Sequence, residues 1–286
     1  MKLNSRKIFQ ICNTILMLFL VVITAYPVYY VIIASISDPL ALAKNKGALL
    51  LPLEPYTLEA YKMVFDHHLV LSGFRNTLFV LIVGTSLNVI FTAIGAFFLT
   101  IKGPMLRNFV SIMIVITMYF SGGMIPGYLL VKELNLMNTL WALIFPSLIG
   151  TTNLIIMRTA FQSIPESLQE SALLDGASYM QILIKVMMPL SKATLAVMVL
   201  YYGVAHWNAW FSASIYLRDS TLYPIQLVAR NLLDNAALME AGVETDKYSE
   251  LLKYALIVVV SAPIVCIYPF IQKYFTKGVM IGAVKG

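Results

Sequence analysis

The sequence predicts an all-α integral membrane protein with six transmembrane helices, and two observations carry that expectation. The chain is 59% hydrophobic and 12% charged, with a mean hydropathy of +0.81, where a soluble domain carries roughly a quarter charged residues. Its apolar residues also gather into runs of the length, about 20 residues, that a helix needs to cross a hydrocarbon core while satisfying its own backbone.

Six such runs occur, at 8–35, 76–101, 109–131, 139–161, 193–217 and 254–275. The first follows Lys2, Arg6 and Lys7 and so resembles a signal peptide. Its apolar length far exceeds an h-region and no small-residue cleavage site follows, so a retained helix is expected. The second and third are joined by a short connection holding Lys102 and Arg107. Within the third, Gly122-Gly123 and Pro126-Gly127 weaken the helical backbone. Two readings stand there: a bend lining a translocation path, and close packing through small residues.

Asn153 in the fourth run is polar at membrane depth and must face a cavity or another helix. The fifth run holds Trp207, Asn208, Trp210 and Tyr216, aromatic faces and an amide suited to stacking on a sugar ring and hydrogen-bonding its edge. Interfacial anchoring is the competing reading of those aromatics. Cys12 and Cys266 both fall inside apolar runs and behave as small hydrophobes, so no disulfide framework is expected.

An even number of spans places both termini on one side, together with the 161–192 loop, and puts the polar segments 38–75 and 218–253 on the other. Residues 1–7, the connection with Lys102 and Arg107, the loop with Arg158 just before it, and the end of the chain from Lys273 then hold eleven of the 20 Lys and Arg but three of the 14 acidic residues. Basic termini and a basic short connection mark the cytoplasmic face. The net charge of +6 belongs to this sidedness, and no basic patch interleaved with exposed aromatics points to nucleic acid. His67-His68 and an isolated His206 give no metal-ligand spacing and no nucleophile–base constellation, so neither a metal site nor a catalytic residue is expected. No Gly-x-x-x-x-Gly-Lys-Ser/Thr phosphate cradle occurs either.

The 161–192 loop is the most informative segment. Ser163-Ile164-Pro165-Glu166 has capping-box spacing with a proline in the tolerated first turn, which predicts a helix from there to Gly176, where a left-handed residue can close it. Ser178-Tyr179-Met180-Gln181 repeats the box, so a second short helix is expected to start at once and to end before Pro189, whose ring disfavours a helical Met188. Helix, glycine elbow and helix make an L-shaped projection. A capped rigid helix of this kind suits insertion into a cleft of a moving partner. Small Ser171 and Ala172 allow close approach, and Glu170 supplies a charge to fix register. An ordinary amphipathic interfacial loop is the alternative.

The order Glu170-Ser171-Ala172-Leu173-Leu174-Asp175-Gly176-Ala177, followed by Ile184 and Met188-Pro189, resembles the EAA motif of ATP-binding-cassette (ABC) importer permeases, with Ser171 in place of the family's usual first alanine. Tyr119-Phe120-Ser121-Gly122-Gly123-Met124-Ile125-Pro126, Trp207-Asn208-Ala209-Trp210-Phe211, Tyr223-Pro224-Ile225-Gln226 and the terminal Lys277 to Gly286 stretch are similar to the maltose-type carbohydrate family (MetI-like transmembrane domain). More narrowly they resemble its LplC/YtcP-like oligosaccharide permeases.

That resemblance implies a type I importer permease in a bacterial cell membrane, with a cytoplasmic coupling helix. Glu166, Glu170, Ser171, Ala172, Asp175, Gly176 and Ala177 would meet an ATPase. The tail 276–286, through Gly282, Lys285 and Gly286, would reach the ATPase dimer; fraying is the alternative for so short and glycine-rich a segment. Asn153, Trp207, Asn208, Trp210, Gly122 and Gly123 are the candidate substrate path. The partners implied are a second homologous permease, an ABC ATPase dimer carrying ATP and magnesium, an extracellular solute-binding lipoprotein and the sugar, with membrane lipid around the spans. The chain itself is expected to bind no cofactor.

The acidic 231–250 stretch, with Leu232, Leu233, Ala236, Leu238 and Met239 at helical spacing, is expected either to dock a binding protein or to form a solvated cap. The rival from another class, a stand-alone secondary transporter or channel, calls for ionisable residues inside the spans, which hold almost none apart from Arg158 near a cytoplasmic end. A same-fold permease for amino acids or metal ions is the nearer alternative.

Overall fold

The computed structural model describes residues 5–45, 47–101, 106–241 and 251–267, and among them all regular structure is helical. The chain divides into two compact units, Met1–Val70 with Ala229–Pro263, and Leu71–Val228 with Ile264–Gly286.

The first unit opens with α1 (Ser5–Ala34), a 30-residue helix that continues through Pro27. Beyond a polar start at Ser5, Arg6 and Lys7 it is mostly apolar, and none of its most apolar 18-residue window is covered by the rest of the chain. Its tyrosine-rich end is tied down instead. Tyr26 Oη accepts from the Leu49 N–H at 3.1 Å, Tyr29 Oη donates to the Leu50 carbonyl at 2.6 Å, and Tyr30 meets Tyr254 edge-on at 5.9 Å. α2 (Pro39–Lys44) is capped by the Asp38 carboxylate, which accepts from the Ala41 N–H. α3 (Glu59–Asp66) follows, and Ser35 Oγ pairs with Tyr61 Oη at 2.6 Å.

α4 (His68–Phe79), a π-turn at Val80–Gly84 and α5 (Thr85–Phe98) form one continuous helix, His68–Phe98. It begins well before the expected residue 76, so Arg75 lies within a helix rather than in a polar connection. Arg6–Ala34 and His68–Phe98 are each long and apolar enough to cross a membrane alone.

The next three expected runs are interrupted. α6 (Arg107–Tyr119) and α7 (Met124–Glu133) meet at 119°. Gly122 and Gly123 therefore occupy a corner, not a spanning helix; Gly123 takes φ +87° and donates its N–H to Ser121 Oγ at 3.1 Å. Thirteen residues of α6 rise about 20 Å, short of a hydrocarbon core of about 30 Å. The fourth run is two 3₁₀ turns, Leu140–Leu143 and Phe145–Ser147, and then α8 (Thr151–Gln162) across a 51° corner. α9 (Glu166–Leu174), α10 (Tyr179–Ile182), a π-turn at Leu183–Met187 and α11 (Met188–Leu190) form the loop. After an 89° corner comes α12 (Lys192–Trp207), and α13 (Trp210–Tyr216) completes the fifth run beyond a break at Asn208 and Ala209. α14 (Ile225–Ala241) and α15 (Leu251–Ile267) follow.

Two apolar clusters organise the second unit. Phe97, Met157, Phe161, Ile182, Met187 and Met198 form one; Val80, Leu143, Ile144, Ala213, Leu217 and Leu227 form the other. Lipid tails are as apolar as leucine, so within a bilayer such contacts hold through close packing rather than exclusion of water.

Candidate coupling loop and interior path

The loop leaves α8 at Ser163, which still has helical torsion angles and donates its hydroxyl to the Ala160 carbonyl at 2.7 Å. The expected Ser163–Glu166 capping box does not form, because that hydroxyl closes the preceding helix. Pro165 stands at the start of α9 with no side-chain cap.

The other end of α9 follows expectation. Gly176 takes φ +80°, the Ala177 N–H donates to the Ala172 carbonyl at 2.9 Å and the Gly176 N–H to the Leu173 carbonyl at 3.0 Å. This paired closure is the Schellman arrangement, available cheaply only to a residue without Cβ. The Ser178 box also forms: the Ser178 N–H donates to Gln181 Oε1 at 2.8 Å and the Gln181 N–H to Ser178 Oγ at 3.4 Å.

The second loop helix does not end before Pro189. It runs over Tyr179–Leu190 by widening into the π-turn just ahead of the proline, where the changed hydrogen-bond register accommodates a residue that lacks an N–H and crowds the preceding turn.

Burial separates two parts of the loop. Ile182, Leu183 and Met187 are buried in the first cluster and root the second helix, while α9 buries no side chain at all. Glu166, Glu170, Ser171, Asp175 and Gly176 are exposed, and Ala172 and Ala177 are half-buried where the elbow leans on the cluster. Leu174 at the tip is 89% exposed. Behind the elbow lies a groove of about 320 Å³ lined by Asp175, Gly176, Gln181 and Lys185 among others.

Inside the second unit, the π-turn at Val80–Gly84, α5, α12 and Ile264 with Ile267 line an open apolar pocket of about 590 Å³, whose lining also includes Leu81, Thr85, Val199, Gly203 and Trp207. Trp207 is 4% exposed, and its Nε1, like Thr85 Oγ1, is buried with no hydrogen-bond partner. Asn208 spends its amide on the Val204 carbonyl at 2.9 Å. Trp210 meets Phe211 edge-on at 5.5 Å and packs on the second cluster. Asn153 is half-buried beside Gly150. Trp207, Asn208 and Trp210 are thus neighbours in sequence that the structure sends into three different surroundings. Gly282, Lys285 and Gly286 lie outside the described residues.

The spacing of polar residues within the apolar runs held a signal that the sequence reading missed. His206 is not isolated: its Nε2 lies 2.6 Å from Asn88 Oδ1, and Asn88 Nδ2 donates to the Ser147 and Leu148 carbonyls at 2.8 and 2.9 Å. One turn away, Thr92 Oγ1 pairs with Tyr202 Oη at 2.7 Å, and Tyr202 Oη accepts from the Gly150 N–H at 2.9 Å. Asn88 with Thr92 and Tyr202 with His206 are i, i+4 pairs inside apolar runs, visible in the sequence as two polar stripes.

The chain belongs to the family of binding-protein-dependent transport system inner membrane components, whose model matches residues 95–281. It is 37% identical over 287 residues to Protein LplC of Bacillus subtilis (strain 168), covering 99% of this chain and 97% of that one. To the polygalacturonan/rhamnogalacturonan transport system permease protein YtcP of the same organism it is 36% identical over 275 residues, 94% and 96% of the two chains. It superposes with a TM-score of 0.86 on a chain from the crystal structure of a bacterial ABC transporter involved in the import of the acidic polysaccharide alginate, at 30% identity and covering 96% and 99%. The chain is a multi-pass permease component and not an enzyme; in this family ATP hydrolysis belongs to separate ATPase subunits.

Proposed function

We propose that this chain forms half of the translocation pathway of an ABC importer for oligosaccharides, pairing with a second homologous permease. It crosses the membrane six times with both termini in the cytoplasm: residues 1–7 lead in, the segments 38–67 and 218–250 face outward, and 276–286 trails into the cytoplasm. The carbohydrate assignment rests on the names of the relatives, which include transport system permease proteins for polygalacturonan/rhamnogalacturonan and for arabinooligosaccharides.

The observation that carries the coupling role is α9, a helix with no fully buried side chain that is closed by a left-handed glycine and stands on a buried root. It fits a cleft of a partner ATPase, with Glu170 and Asp175 as charged register marks and Ser171 and Ala172 as the close-approach face. ATP binding on that partner would draw the 161–192 loop inward and turn the spans outward, and hydrolysis would reset them, as in alternating access by rigid-body motion. A solute-binding lipoprotein would deliver the sugar from outside. Asn153, Trp207, Asn208, Trp210, Gly122 and Gly123 remain the proposed path, with Trp207 as its most enclosed aromatic.

The test is affinity purification of the chain from its native membrane in mild detergent, with mass spectrometry of what accompanies it. Recovery of a P-loop ATPase, a second permease and a solute-binding lipoprotein is expected. Recovery of the chain alone, even after cross-linking, would overturn the importer reading.

A further inference from the structure

We propose that Asn88, Thr92, Tyr202 and His206 are positioning residues for transport: a two-rung polar latch that makes the two arms of the coupling loop move as one body. The proposal rests on the reading that the 161–192 loop meets an ATPase.

The arms are α8, which enters the loop, and α12, which leaves it. Each rung joins both arms to α5. In the first, His206 on α12 bonds Asn88 on α5, and Asn88 bonds the Ser147 and Leu148 carbonyls at the corner that starts α8. In the second, Tyr202 on α12 bonds Thr92 on α5 and the Gly150 N–H of the same corner. The pairings 88 with 206 and 92 with 202 step in opposite directions along the two helices, as antiparallel neighbours one turn apart must.

The chemistry of the first rung is fixed. Two carbonyls claim both hydrogens of the Asn88 amide, so its oxygen faces His206 and Nε2 carries the proton. All four side chains are buried, Asn88 and Thr92 to 0% exposure. The latch also supplies partners to backbone groups that the 51° corner leaves outside any helix, which a bilayer cannot do.

The fit leaves little slack around the imidazole. A Cβ at Gly84, the last residue of the π-turn, would stand 2.7 Å from His206 Nε2. At their loop ends the same arms are joined by apolar packing of Met157, Phe161, Met187 and Met198 with Phe97 of α5. Bracing at both ends turns α5, α8, α12 and the loop root into one lever. A displacement of α9 then reaches the corner at 148–150 and the break at Asn208 undivided.

The test uses the complex purified from native membrane, with exposed Cys12 and Cys266 replaced by serine and spin labels on Thr159 of α8 and Ala205 of α12, both exposed. In the otherwise unaltered chain the interlabel distance is expected to stay a single population when the ATPase is trapped with ATP and vanadate. His206→Leu and Gly84→Ala are expected to broaden or split that population on trapping, and His206→Gln, which retains an N–H donor, to restore it. A distance that already changes in the unaltered chain, or one that His206→Leu leaves single on trapping, would overturn the latch. Absence of the ATPase from the unaltered preparation would overturn the coupling role itself, and the latch as a coupling device with it.

Discussion

The Ala177 N–H lies 2.9 Å from the Ala172 carbonyl, a bond that reaches back over the left-handed Gly176 and seals the end of α9. Every exposed residue of that helix owes its fixed direction to this closure. Substituting Gly176 with valine places a branched side chain at φ +80°, a conformation that costs an L-residue about 1–2 kcal/mol. The expected outcome is normal membrane insertion with a several-fold loss of co-purifying ATPase, read by quantitative mass spectrometry. Undiminished ATPase recovery would detach the coupling role from the elbow.

Glu170 is exposed on α9, so Glu170→Lys should leave the fold untouched and reverse the charge offered to the partner. Transport and ATPase recovery should fall together while the thermal midpoint of the solubilised chain stays within about a degree, since surface substitutions usually lie within ±0.5 kcal/mol.

The two serines that open the expected capping boxes, Ser163 and Ser178, separate cleanly. Ser178→Ala removes a formed capping box and should cost about 1 kcal/mol, seen as faster amide exchange over α10. Ser163→Ala removes a hydroxyl that serves the end of α8 instead, so exchange at the start of α9 should not change.

Asn88→Leu would strand two carbonyls and the His206 N–H, each at a cost of roughly 1–3 kcal/mol where no partner replaces the amide. A lower thermal midpoint is expected, with His206→Leu in the same chain recovering part of the loss by removing one orphan. A midpoint unaffected by Asn88→Leu would mean that these groups find other partners.

His67 and His68 stack with ring centres 4.9 Å apart. Burial first, and then the neighbouring His68, lower the His67 pKa below its ordinary value of about 6.5. Between that lowered value and 6.5 the unfolded chain binds more protons than the folded one, so stability is complete above about pH 6.5 and is lost as pH falls through the lowered value. His67 Nδ1 accepts from the Leu69 N–H at 3.3 Å, and protonation removes that acceptor. Protection of the Leu69 amide against exchange should therefore drop on acidification from pH 7.5 to 5.5, and His67→Asn should flatten the response.

Local chemistry was legible in the sequence: the uninterrupted apolar run of α1, the Gly176 elbow and the Ser178 box depend on residues a few positions apart. The corners were legible only where glycine marks them, at Gly122-Gly123. At 148–150 the break is stabilised by Asn88 and Tyr202, far along the chain, at Asn208 by the residue's own amide on the Val204 carbonyl, and apolar runs on either side of both read as continuous spans. Ser163 misled because one hydroxyl had two helices within reach, and Pro189 because a π-turn absorbed it. The latch was written as polar residues four apart inside apolar runs, but their pairing is a property of three helices together. The candidate path was legible as a list of residue types and not as a place, since Trp207, Asn208 and Trp210 point into different surroundings.

The near-contact between the backbone of Gly84 and the ring of His206 carries a consequence for how this sequence can drift. The two positions, 122 residues apart, are not free to vary independently: a methyl gained at 84 collides with the imidazole unless position 206 has already become smaller. Substitutions there should enter a lineage in a fixed order, the histidine yielding first and the glycine second, so that alanine at 84 is found only beside a smaller side chain at 206.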